Sequence, residues 1–96
     1  MLKPEQFVTL HKAVETFGVR NQEDVAIEEM SELTKAIIKH RRYNTEETKV
    51  NIVEEMADVW IMLLQLSIIY GFNDRIVDEK INRLKQRLEK EGEPDE

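Results

Sequence analysis

Apolar residues recur at intervals of three and four along four segments of this chain, and few glycines or prolines interrupt them. This spacing matches the 3.6-residue period of an α-helix and not the two-residue alternation of a strand. Only three glycines and two prolines occur in 96 residues, too few for the many turns of a β-rich fold. The chain is therefore predicted to be all-α and, at this length, to form one domain over residues 1–96.

The ends of the helices are marked by capping residues and by glycines. Pro4 suits a first helical turn, where its missing N–H costs nothing. Asn21 is expected to cap the second helix, and Gly18 and Gly71 are expected to end the first and third. The predicted helices cover residues 4–17, 22–42, 46–70 and 73–91.

The third predicted helix is the most apolar of the four. From Met56 to Tyr70 it is hydrophobic nearly all round, so it is expected to be central and buried. A domain of this size buries only a modest core, and packing against another copy is a common remedy. The sequence therefore predicts a four-helix bundle that is completed by oligomerisation.

The charge and the residue usage exclude several classes of protein. The formal net charge is −6, which opposes nucleic-acid binding because phosphate contacts need a basic surface. There is no cysteine, so disulfides and thiolate ligands are ruled out. The N-terminus shows no signal core, and the apolar run from Val59 to Tyr70 is too short to span a membrane. A cytoplasmic protein with no membrane partner is expected.

Two acidic residues of the second helix lie where apolar residues are expected. A helical projection places Glu29 between Val25 and Leu33, at the edge of the apolar stripe. Glu32 lies beside Glu29, about one turn further along the helix.

The third helix repeats this arrangement. Glu55 lies at the centre of a stripe formed by Val59, Met62 and Leu66, and Asp58 is about 60° away from it. Both helices thus present an acid, two spacers and a second acid from a face that is expected to be buried.

Such a cluster needs compensation, because burying an unpaired carboxylate costs several kcal/mol, comparable with the stability of a small domain. A divalent cation compensates directly, and Mg²⁺ prefers hard oxygen ligands and substrate phosphates. A single acidic pair of this spacing usually marks only a solvated helix face. Two pairs that both enter apolar stripes favour a metal site, whereas the preceding Glu28 and Glu54 are interpreted as surface charges.

At these positions the chain resembles the MazG-like all-α nucleoside triphosphate pyrophosphohydrolases. The family signature is ExxE, a spacer, then ExxD. Here it is Glu29-x-x-Glu32, twenty-two residues, then Glu55-x-x-Asp58. The two helices that carry the motif cover residues 21–70, about half of the chain, and the flanking helices fit the same four-helix plan.

The resemblance implies an activity and a set of metal ligands. Members hydrolyse nucleoside triphosphates to monophosphate and pyrophosphate, use Mg²⁺ and often form homodimers or homotetramers. Mn²⁺ is the alternative metal. Carried over to this sequence, Glu29, Glu32, Glu55 and Asp58 would bind the metal, and Glu29 is the candidate general base. A role in removing unwanted nucleotides from the pool is the family-level expectation.

The family also uses basic and amide residues of its fourth helix to contact phosphates. The matching stretch here gives four candidates for substrate binding, and its match is looser than that of the acids. These candidates are Lys80, Asn82, Arg83 and Arg87.

Alternative functions remain open from the sequence. A phosphoribosyl-ATP pyrophosphohydrolase would carry a related motif. A non-catalytic helical interaction or oligomerisation protein would use its acids structurally, and would pair Glu29 and Glu55 with Lys or Arg. A di-iron carboxylate protein is disfavoured because such sites need Glu-x-x-His motifs, and neither His11 nor His40 follows a glutamate by three residues.

Overall fold

The computed structural model describes residues 2–92, so Met1 and residues 93–96 of the predicted domain lie outside it. This part of the chain is all-helical, as predicted, and it has no strand. Its four helices are α1 (Pro4–Phe17), α2 (Val19–Tyr43), α3 (Glu46–Tyr70) and α4 (Asp74–Glu91). Within the described range, no helix has both the length and the hydrophobicity that crossing a membrane requires.

The predicted start of α2 at Gln22 is wrong. The helix begins at Val19, directly after Gly18, whose φ of 91° makes the bend between α1 and α2. Glycine adopts this backbone angle without steric cost. Gly18 alone therefore makes the connection between the two helices, for which residues 18–21 were expected. Asn21 therefore lies inside the helix, and its side-chain amide donates a hydrogen bond to the carbonyl oxygen of Phe17 at 2.8 Å.

A two-residue turn joins α2 to α3 and is fixed by side-chain hydrogen bonds. Asn44 adopts a left-handed backbone with φ 48°, a conformation that asparagine tolerates. The hydroxyl of Thr45 accepts a hydrogen bond from the Thr48 backbone N–H at 3.1 Å. The Thr48 hydroxyl is buried and lies 2.7 Å from Nδ1 of His40. His40 thus ties the end of α2 to the start of α3.

The antiparallel packing of α2 against α3 is the main contact of the fold. Ala26 and Ala36 are buried on α2. Val59 and Met62 are buried on α3. The helix α1 packs on both and buries Leu10.

The prediction of a central, buried α3 is only partly confirmed. The helix contacts both α1 and α2, and few of its side chains are buried. Trp60 is 58% exposed and Leu63 is 45% exposed. One side of α3 is therefore open to solvent.

The helix α4 packs against none of the other three within the described chain. The Asn73 side chain caps it by accepting hydrogen bonds from the backbone N–H groups of Arg75 and Ile76. Every residue from Asp74 to Glu91 is exposed. The four expected helices are thus present, whereas only α1, α2 and α3 pack together within the described part of one chain.

The cap at Thr45 yields a test of the α2–α3 turn. Replacing Thr45 with Ala removes the acceptor for the Thr48 N–H, so we expect the free energy of unfolding to fall by about 1 kcal/mol. Urea denaturation at one fixed protein concentration measures this change. Thr34→Ala is the control, because Thr34 is an exposed mid-helix threonine and alanine is the better helix former. Equal destabilisation by both changes would contradict the role of the cap.

Candidate metal centre

Three of the four predicted ligands converge between α2 and α3. Glu29 projects from α2, and Glu55 and Asp58 project from α3. One carboxylate oxygen of each lies within 4.8 Å of the others. Opposite oxygens in the shell of a Mg²⁺ ion are about 4.2 Å apart, twice the metal–oxygen distance. The donor set therefore suits a hard divalent cation, with a small closure of the side chains.

The helix geometry explains why these residues meet. Glu55 and Asp58 are three residues apart, a spacing that places their side chains on one face of a helix. The antiparallel pairing of α2 with α3 then brings Glu29 opposite both of them. At the far end of the same pair, the Tyr70 hydroxyl donates a hydrogen bond to the Glu23 carboxylate. The register of α2 on α3 is thus held on both sides of the acids.

Glu32, the fourth predicted ligand, lies beside this cluster. Its Oε1 is 3.6 Å from Nζ of Lys35, and its side chain is 44% exposed. Its negative charge nevertheless contributes to the raised pKa of Glu55. The structure thus gathers three of the four predicted acids closely and places the fourth within electrostatic reach.

The cluster is electrostatically unfavourable when it binds no cation. Partial removal from water raises the pKa of Glu29, and the charge of Asp58 and a hydrogen bond with that side chain raise it further. Partial removal from water also raises the pKa of Glu55, followed by the charges of Asp58 and Glu32. Like charges close together disfavour joint ionisation, so the protein holds these carboxylates at a cost.

Basic side chains do not offset this repulsion. Over residues 2–92, the one ion pair joins Lys35 to Glu32. Among these described residues, neither Glu29 nor Glu55 has the Lys or Arg partner that a purely structural role would predict. A bound cation would supply the missing positive charge.

The four substrate-binding candidates are not brought to the acids within one chain. Lys80, Asn82, Arg83 and Arg87 all lie on α4 and are exposed. Because α4 packs on neither α2 nor α3 in the part of the chain described, these side chains stay on a separate arm.

Gln65 interrupts the apolar run of α3 from Val59 to Tyr70 and was not predicted to be a functional residue. The residue is 4% exposed, and its Oε1 has no hydrogen-bond partner among the described residues. It lies seven residues after Asp58, about two turns along the same side of α3. A polar residue inside an otherwise apolar run was the signal in the sequence that could have drawn attention to Gln65.

Glu28 and Glu54, the acids that precede the two pairs, are exposed. This agrees with their interpretation as surface charges.

No family model, no curated protein and no solved structure matches this chain.

The raised carboxylate pKa values predict a pH dependence of stability without metal. A carboxyl whose folded pKa exceeds its unfolded value of 4.5 binds protons more readily in the native state, so stability is lost as pH rises through the folded pKa. We expect Glu55→Gln to raise the melting temperature in EDTA at about pH 7.5, and this advantage to shrink toward pH 5.

Thermal unfolding followed by circular dichroism across this pH range measures the difference from wild type. Glu15→Gln is the control, because Glu15 is an exposed glutamate of α1 whose charge contributes to the raised pKa of neither Glu29 nor Glu55. Its difference from wild type should stay nearly constant with pH. A Glu55→Gln protein that is less stable than wild type at neutral pH would point to a structural role for this carboxylate.

Proposed function

We propose that this protein is a Mg²⁺-dependent nucleoside triphosphate pyrophosphohydrolase, with Mn²⁺ as an alternative metal. The observation that carries the proposal is the convergence of Glu29, Glu55 and Asp58 within 4.8 Å, with no basic partner from residues 2–92. These residues belong to the two acidic pairs on which the resemblance to MazG-like enzymes rests. The arrangement of all four helices in a MazG-like bundle is part of the same proposal.

The proposed reaction adds water across the bond between the α and β phosphates. A P–O bond forms from the water oxygen, the bridging P–O bond breaks, and the products are a nucleoside monophosphate and pyrophosphate. When bound, Mg²⁺ supplies positive charge to the phosphates and lowers the pKa of a coordinated water. Ribo- and deoxyribonucleotides are both candidate substrates, and removal of unwanted nucleotides is the proposed role.

Each acid has a proposed part. Glu29, Glu55 and Asp58 would hold the cation, and Glu32 would be a fourth ligand in place of its ion pair with Lys35. Glu29 is also the proposed general base, because a carboxylate with a raised pKa accepts a proton near neutral pH more readily. When Glu29 is protonated, its hydrogen bond with Asp58 stabilises that form, which favours transfer of a proton to Glu29.

The basic candidates require more than one chain in this proposal. Lys80, Asn82, Arg83 and Arg87 are proposed to contact phosphates, although α4 does not pack on the acid-bearing helices within the described chain. A homodimer or homotetramer in which α4 packs on other helices would bring them closer to an acidic cluster.

Pyrophosphate release from a panel of ribo- and deoxyribonucleoside triphosphates, with and without Mg²⁺, tests the reaction. We expect Glu55→Gln to reduce Mg²⁺-dependent release by about 100-fold or more, since even residues that only orient metal ligands contribute about 10–100-fold. The matched control is Glu54→Gln, which should retain the wild-type rate. Equal loss in both variants would contradict the assignment of Glu55.

Metal binding is measured separately from turnover. Mg²⁺ should raise the melting temperature of the wild type and have little effect on Glu55→Gln, because a ligand stabilises only the state that binds it. Phosphoribosyl-ATP completes the substrate panel. Failure of every substrate together with absence of a Mg²⁺ effect would support a non-catalytic interaction protein.

A further inference from the structure

An open groove lined by large apolar side chains runs along the exposed side of α3. It has a volume of about 620 Å³ and contains Phe7 of α1, Trp60 and Leu63 of α3, and Tyr70 and Phe72 at the end of α3. Trp60, Tyr70 and Phe72 are 58%, 70% and 71% exposed. Contiguous apolar surface of this kind marks an interaction site in a stable protein. We call these five residues the aromatic groove.

The helix α4 carries the complementary feature. Val77, Ile81, Leu84 and Leu88 fall on one side of it, within about 60° of one another, and they are 39–63% exposed. We call these four residues the α4 stripe. Because α4 packs on no other helix in the described chain, its own fold leaves the stripe without a partner.

The two surfaces fit each other in size and charge. Nine apolar side chains that each bury on the order of 100 Å² give about 900 Å² per copy, close to the ~800 Å² per partner of a stable interface. Residues 2–73 carry twelve acidic and eight basic side chains, a net charge of −4, whereas α4 carries five acidic and six basic, a net charge of +1. The charges therefore attract α4 to the three-helix body.

The course of the chain points to a second copy as the occupant. Gly71 has φ 92° and, together with Phe72, lines the groove itself, so α4 starts at the groove and leads away from it. The radius of gyration is 17.3 Å, against about 12.5 Å for a compact chain of this length. An extended arm leaves its own groove open. A two-fold axis lets each of two copies fill the groove of the other.

We propose that two copies of this chain exchange their C-terminal helices, so that the α4 stripe of each copy fills the aromatic groove of the other. The inference rests on the unpartnered surfaces alone. It requires neither metal binding nor hydrolysis.

Cross-linking tests which chain fills the groove. The sequence has no cysteine, so single cysteines at Leu63 and Leu84 can be joined by a short bis-maleimide. A mixture of Leu63→Cys chains with mass-tagged Leu84→Cys chains should give a covalent dimer that contains one of each. Leu84→Cys mixed with Val50→Cys is the control, because Val50 is equally exposed and lies outside the groove. A link within single Leu63→Cys/Leu84→Cys chains, at monomer mass, would overturn the exchange.

Analytical ultracentrifugation of the full chain tests the stripe. We expect Ile81→Asp to weaken self-association by about 30-fold or more, the effect of losing an interface hot spot. Gln86→Asp, on the opposite side of α4, should associate like wild type. Circular dichroism checks that α1–α3 stay helical, which we expect because α4 does not pack on them. A wild type that remains monomeric, or an Ile81→Asp protein that associates normally, would overturn the proposal.

Discussion

The antiparallel contact between α2 and α3 is the interaction on which the rest of the structure depends. α2 contributes the buried residues Ala26 and Ala36, and the hydrogen bonds among His40, Thr45 and Thr48 fix the turn. Because a shift along either helix would separate residues that now face each other, this register also determines which acids meet. The fold and the candidate site therefore depend on the same contact.

The close placement of these acids lowers the stability of the metal-free protein. An apolar residue at Glu55 would extend the stripe of α3, whereas the carboxylate meets two other acids and has a raised pKa. Local conflicts of this kind between a side chain and its surroundings are expected at functional sites. Here the carboxylates that repel one another in the metal-free protein are the same groups that a bound cation would draw together.

The sequence predicted the parts of the structure that follow from local periodicity. The four helices and the helix faces that carry the acids could be read from spacings of three and four, because the helix period converts spacing directly into a shared face. The spacing could not show that Glu32 lies beside the cluster, since that depends on the register of α2 on α3. The start of α2 was misjudged, since Asn21 and Gly18 are both plausible boundary signals and only the backbone angle of glycine decides between them. His40 was missed because its partner, Thr48, lies across a turn rather than on the same helix.

The position of α4 could not be predicted from periodicity. An apolar stripe indicates that one face of a helix will be buried, and it does not indicate which other surface will cover that face. Within residues 2–73, the helices α1, α2 and α3 pack together and leave one side of α3 exposed to solvent, including Trp60. A chain of 96 residues buries a smaller fraction of its surface than a larger domain does. In the described part of this chain α4 adds nothing to the core, because it packs on none of the other helices. If two copies exchange α4, the α4 stripe of one copy covers the aromatic groove of the other. One contact then accounts for both exposed apolar surfaces.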